Sequence, residues 1–125
     1  MQWNIRNDAP VYAQLVEHIK LAIVSGEFKP GERLPSVRDL STAAGVNPNT
    51  MQRAFAELER EGLVLTQRTS GRSVTEDVSR VEQTKRQLAA AAIQTFWVNM
   101  RKLGFAQREA LQLLQQSGTE KKEEI

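Results

Sequence analysis

The stretch Leu34–Leu63 reads LPSVRDLSTAAGVNPNTMQRAFAELEREGL, and its punctuation predicts two helices joined by a tight turn. The first is expected over 36–44. Ser36 can cap it, and Asp39 stands three residues on, where the acid of a capping box goes. Val37, Leu40, Ala43 and Ala44 recur at helical spacing and predict one apolar face. Gly45 supplies the break, and Val46 is expected to turn inward. Asn47 is a good cap, and Pro48 suits the first helical position. The second helix is expected to reach about 61, closed by Gly62. Its apolar stripe is Met51, Ala54, Phe55 and Leu58, and its opposite face carries Asn49, Gln52, Arg53, Glu57 and Arg60.

That opposite face is unusual in composition. Asn47, Asn49, Thr50, Gln52 and Arg53 nearly all carry side chains that hydrogen-bond base edges or phosphates. Asn and Gln can grip adenine with two bonds, and Arg can grip guanine. Such a helix, delivered by a short turn from a scaffolding helix, is a helix-turn-helix recognition element. The plainer alternative is a solvated helix face. A second alternative is a module that binds only protein, but its outer face should be apolar or aromatic, and this one is polar. The polar and cationic set around the turn comprises Arg38, Gln52, Arg53, Arg68 and Arg72.

Residues 8–74 resemble the winged helix-turn-helix domain of GntR-family bacterial transcriptional regulators. The segments that carry the resemblance are PVYAQLVEHIKLAIVSGEFKPGERLPSVRDLS, then VNPNTMQRAFAELEREGLV, then the Gly71–Arg72 turn before Val74. The VNPNT start of the second helix is similar to the YtrA subfamily. The resemblance implies a mainly α fold with a small β wing, followed by a two-helix C-terminal dimerisation region. It implies a DNA-binding transcriptional regulator, a repressor on a pseudo-palindromic operator, acting as a homodimer. It also implies DNA contact by Arg38 and pairing of the 32–35 segment with the wing. Pro48 stands where many relatives outside the subfamily carry a DNA-contacting arginine, so base choice must differ from theirs. Relatives usually have glycine near position 69 and an aromatic near 73, where Thr69 and Ser73 stand here. They usually open the last helix with Ser or Thr, where Ala106 stands here.

The expected DNA-binding set is therefore Ser36, Arg38, Asn47, Asn49, Thr50, Gln52, Arg53, Arg68, Gly71 and Arg72. Asn47 and Thr50 are expected on phosphates, because a helix N-terminus favours anions. Gln52 and Arg53 are expected to read bases, and Arg68 and Arg72 to flank the wing tip and reach phosphates or the minor groove.

The chain has 125 residues, 40% of them hydrophobic, with 17 Lys and Arg against 15 Asp and Glu, for a net charge of +2. That size suits one compact unit with an appendage. The mild basicity tolerates nucleic acid without demonstrating it, since local clustering matters more than the total. With no Cys there is no disulfide, thiolate metal site or Cys nucleophile. The single histidine, His18, is expected on the surface and lacks the companions a metal site needs. Paired metal ligands, a Gly-rich phosphate loop and a Ser–His constellation are all missing, so no enzyme and no cofactor are expected. No apolar run reaches membrane-span length and no signal peptide is apparent, so a cytoplasmic location without membrane partners is expected.

Before the quoted stretch, Trp3 and Ile5 alternate in what is either a short strand or an arm. Asp8 is expected to cap a first helix with Pro10 in its first turn. Tyr12, Leu15, Val16, Ile19, Ile23 and Val24 give that helix an apolar face ending at Ser25–Gly26. Beyond the second helix of the turn, 63–66 and 73–75 are expected to pair as the wing, with Gly71 taking the positive φ of the turn. The acids of 57–61 are expected to pair with Arg53 and Arg60 along their helix.

The domain expectation is a winged unit over 8–76, a helical region over 77–117 and a flexible tail over 118–125. A long helix is expected over 80–103, closed by Gly104, and a shorter one over 105–116. Leu88, Ala92, Ile93, Phe96, Trp97, Met100 and Leu103, with Leu111 and Leu114 facing inward, form the dimerisation set. The segment after the wing is too short for the pocketed metabolite domain usual in such relatives. The family resemblance leaves room for a small-molecule effector, but the sequence does not reveal one.

Overall fold

The computed structural model describes residues 1–68 and 71–124, with side chains as far as Gly118. Its elements are α1 (Val11–Val24), α2 (Val37–Ala44), α3 (Pro48–Arg60), β1 (Val64–Gln67), β2 (Gly71–Val74), α4 (Val78–Lys102) and α5 (Gln107–Glu124). They divide into two compact units, Met1–Lys85 and a second beginning at Arg86. The first unit, expected over 8–76, thus takes in the start of α4, where Val81 packs on the core and Thr84 is buried.

The core of the first unit is Leu15 and Ile19 of α1, Met51, Phe55 and Leu58 of α3, and Leu63, Val64 and Val74 of the hairpin. Each such side chain contributes on the order of 1.5–3 kcal/mol when removed from water. The apolar faces of α1 and α3 meet as their spacing predicts, and α2 leans on α3 through Leu40. Val37, Ala44 and Val46 pack partly buried against this cluster. Ala43, expected on the same face, is exposed, and Ser41 is buried in its stead. A serine is tolerated there because its hydroxyl donates to the Val37 carbonyl at 2.6 Å.

The start of α1 departs from expectation. Asp8 does not cap it; the helix begins after Pro10, and the Asp8 carboxylate accepts from Arg6 Nε at 3.0 Å. The buried amide of Gln14 ties down the arm instead. Its Nε2 donates to the carbonyls of Arg6 (2.8 Å) and Ala9 (3.1 Å), and its Oε1 accepts the Arg6 N–H at 2.7 Å. Met1–Asn7 is therefore an arm and not a strand, with Trp3 and Ile5 packed on the core. Trp3 lies 5.6 Å from the His18 ring, so this histidine is half-buried rather than fully on the surface.

The wing is an antiparallel pair in the register Val64↔Val74 through Gln67↔Gly71. A two-stranded hairpin alone is marginal, and here a third segment supports it. Arg33 bridges Ser73, the Leu34 N–H donates to the Arg72 carbonyl at 2.8 Å, and the Val74 N–H donates to the Glu32 carbonyl at 2.9 Å. Gly71 has a φ of 78°, as the hairpin expectation required. Ser73 sits within β2, and Thr69 lies outside the described residues.

In the second unit, α4 ends on Gly104 at φ 96°, and the Phe105 N–H closes back on the Met100 carbonyl at 3.0 Å. Ala106 cannot cap α5 with its side chain. The Ala106 N–H is nevertheless satisfied by Glu109 Oε1 at 2.9 Å, the reciprocal half of a capping box. The helix runs past 116 to Glu124, so the expected tail falls within α5 as far as that residue. Gly118 costs about 1 kcal/mol in a helix interior, and the Lys and Glu residues beyond it are good helix formers. Leu111 and Leu114, expected to face inward, are half exposed, and Ala110 is the enclosed residue. Two helices by themselves cannot cover both faces of α5.

Candidate nucleic-acid interface

Three local structures converge on one face of the first unit. The start of α2 is fixed by Ser36, whose hydroxyl accepts the Asp39 N–H at 3.0 Å. The start of α3 is fixed by Asn47, whose Oδ1 accepts the Asn49 N–H at 2.7 Å, with Pro48 next in line. Between them Gly45, at φ 70°, makes the turn that a residue bearing a Cβ would strain. The Asn47 side-chain oxygen is thus spent on the cap, while its NH2 group remains able to donate to an anion.

An open groove of about 570 Å³ runs between α2, α3 and the wing. Ser36, Arg38, Gln52, Gly71 and Arg72 from the expected set line it, together with Arg33, Pro35 and Asp39. Asn47, Asn49 and Arg53 are exposed on α3, and Thr50 is half-buried beside them. Arg68, at the end of β1, is exposed. Arg33 is the residue that sequence reasoning missed. Its signal was its place within the 32–35 segment expected to pair with the wing, where it bridges Ser73.

The charges on α3 are arranged differently from expectation. Glu57 does take Arg60, and that guanidinium holds the Glu57 carboxyl below the usual carboxylate range. Arg53, however, lies over the Tyr12 ring at 3.7 Å. Such cation–π contact is worth about 0.5–1 kcal/mol at an exposed site and orients the guanidinium plane. Glu61 reaches Lys20 of α1 at 2.7 Å. Glu59 reaches across to the wing, accepting from Arg72 Nε at 2.7 Å and from the Thr66 hydroxyl at 2.6 Å. Arg72 also stands 5.1 Å from the Phe55 ring, and only 21% of its side chain is exposed.

Burial pushes the Glu59 carboxyl up, but the Thr66 hydroxyl and the Arg72 guanidinium outweigh it and hold it below its ordinary value. A carboxylate lowered in the folded state stabilises the fold fully above its unfolded pKa. That contribution disappears as pH falls through the folded value. Glu59→Gln should therefore lower the amide protection of Val64–Gln67 and Gly71–Val74 at neutral pH, and it should flatten the acid loss seen in the wild type. Equal protection factors for the two proteins at pH 7 would show that this pair does not hold the wing.

Residues 11–74 match the model of the bacterial regulatory proteins of the gntR family. The chain belongs to the GntR family. It is 42% identical over 77 residues to the HTH-type transcriptional repressor YtrA of Bacillus subtilis, covering 62% of this chain and 59% of that one. A GntR family transcriptional regulator from Listeria monocytogenes has a similar structure, with a TM-score of 0.81 and 37% identity over 89% of this chain and 97% of that chain. The DNA-binding domain of AraR, solved in complex with operator ORE1, superposes with a TM-score of 0.52 at 27% identity, over 60% of this chain and 94% of that chain. The YtrA likeness seen in the VNPNT segment is thus borne out, as is the winged-helix fold. GntR-family proteins are DNA-binding transcriptional regulators and not enzymes. Among the described residues, no helix is long and apolar enough to cross a membrane, and no group of residues could hold a metal ion.

Proposed function

We propose that this GntR regulator is a cytoplasmic repressor that binds a pseudo-palindromic operator as a homodimer. The observation that carries the reading is the groove between α2, α3 and the wing, lined by Arg38, Gln52 and Arg72, with Asn47, Asn49 and Arg53 exposed along the start of α3. In this reading Asn47, Asn49 and Thr50 hold phosphates at the positive end of α3. Gln52 and Arg53 reach base edges in the major groove, with Tyr12 serving as the platform that aims Arg53. Arg38 and Arg68 take the backbone on either side. The name of the Bacillus subtilis relative, a repressor, supports the direction of regulation.

Dimerisation is proposed through the second unit. Leu88, Ala92, Ile93, Phe96, Trp97, Met100 and Leu103 of α4, with Leu111 and Leu114 of α5, provide an apolar surface for a second copy. A symmetric pair would present two α3 helices to half-sites about 10 base pairs apart or a multiple of that. Selection from random duplexes followed by footprinting should return two inverted half-sites. Arg53→Ala should cost roughly 1–3 kcal/mol on the selected site and relax one base position. Protection of a lone half-site, or unchanged preference in Arg53→Ala, would count against the reading.

A further inference from the structure

We infer that Arg33, and not Arg72, supplies a phosphate contact on the wing side of the groove, in addition to that of Arg68. This rests on the DNA-binding reading above and adds a residue to it.

Arg72 is the obvious wing cation by sequence, but its charge is already engaged. Its Nε lies 2.7 Å from a Glu59 oxygen, and most of the side chain is covered against α3. A paired guanidinium and carboxylate present almost no net field to an approaching phosphate. Releasing Arg72 to DNA would leave Glu59 unneutralised beside the same phosphate.

Arg33 is in the opposite position. It is exposed, and no salt bridge engages it among the described residues. Its backbone is anchored to the wing by the Ser73 bridge and by the hydrogen bonds of Glu32 and Leu34 on either side. Its guanidinium lies over Gly71, 3.9 Å from where a Cβ on that glycine would stand. Arg33 therefore places an unpaired cation on the wing side of the groove, with Arg38 and Gln52 among the other residues lining it. A cation on an anchored base loses little freedom on meeting a phosphate, and each phosphate neutralised releases condensed counterions.

The test measures binding of the full chain to a fluorescein-labelled, mixed-sequence duplex of about 30 base pairs, long enough for two half-sites. Anisotropy titrations would run across roughly 50–200 mM salt, where each phosphate contact adds about 0.9 to the slope of log affinity against log salt. Arg33→Ala should make the slope shallower by about one unit per bound chain, roughly two for a dimer, and Arg33→Lys should keep it, because the charge is what matters. Arg33 is exposed, so circular dichroism of both variants should match the wild type. A wild-type slope in Arg33→Ala overturns the inference and leaves the DNA-binding reading standing. A loss of about one unit per bound chain in Arg72→Ala with none in Arg33→Ala reverses the assignment. A wild-type chain with no salt-dependent duplex binding at the lowest salt overturns both.

Discussion

Replacing Phe55 by alanine is expected to remove about 3–5 kcal/mol from the stability of the winged unit. Phe55 is fully enclosed, and three parts of the unit depend on it. It lies on the apolar stripe of α3 that packs against α1, and it belongs to the same cluster as Val64 and Val74 of the hairpin. Arg72 also rests near its ring. Truncation therefore leaves a cavity between rigid elements that cannot all collapse into it, and the cavity adds to the lost transfer energy. Domains of this kind have only about 5–15 kcal/mol in hand. Urea unfolding should show a midpoint lower by more than about 1 M, taking a slope of roughly 1–3 kcal/mol per M. A loss under about 1 kcal/mol would mean that the hairpin and α1 do not share this anchor.

The second large effect is expected in assembly. Within the second unit Ile93 is 53% exposed and Leu103 71%, with Leu111 and Leu114 about half exposed, while Phe96, Trp97 and Met100 are only partly covered. So much apolar side chain on one short unit implies a partner, and the proposed partner is a second copy. Light scattering of the full chain at micromolar concentration should give a dimer, and a chain cut after Lys85, where the first unit ends, should give a monomer. Ile93→Asp with Leu103→Asp should shift the dissociation constant by roughly a hundredfold or more, from at least about 3 kcal/mol lost per pair of large side chains. Both positions are solvent-facing in the single chain, so the helices should persist in circular dichroism. A full-length chain that stays monomeric at tens of micromolar would remove the dimer, and with it the expectation of paired half-sites.

What the sequence made legible was whatever is decided within a few residues. Ser36, Gly45, Asn47, Pro48 and Gly62 mark the ends of α2 and α3 by capping and φ preference, which are local chemistry. The stripe Met51, Ala54, Phe55 and Leu58 comes from helical spacing alone. The features that stayed hidden depend on distant partners. The Glu59–Arg72 pair spans the α3–wing junction, so helical spacing within α3 offered Arg53 and Arg60 as nearer candidates. Gln14 stands outside the apolar stripe read for α1, and its amide is recruited only when the arm folds over it. Asp8 is a good capping residue, yet the helix starts after Pro10 and leaves Asp8 outside the cap. Of the interface, the α3 side chains were legible as a polar face. Arg33 was not, because its place in the groove comes from strand pairing.

The two tryptophans of the chain are divided between its parts: Trp3 sits against His18 on the winged unit, and Trp97 sits against Phe96 on α4. The molecule therefore carries one tryptophan per unit, each beside a second ring, while its single tyrosine, Tyr12, lies in the winged unit. With excitation at the red edge of indole absorption, where Tyr12 does not absorb, Trp3→Phe leaves an emission spectrum that reports only on the helical pair, and Trp97→Phe leaves one that reports only on the arm and its bed. Melting, subunit exchange and duplex binding can then each be followed optically on the unit where they occur, without an added dye.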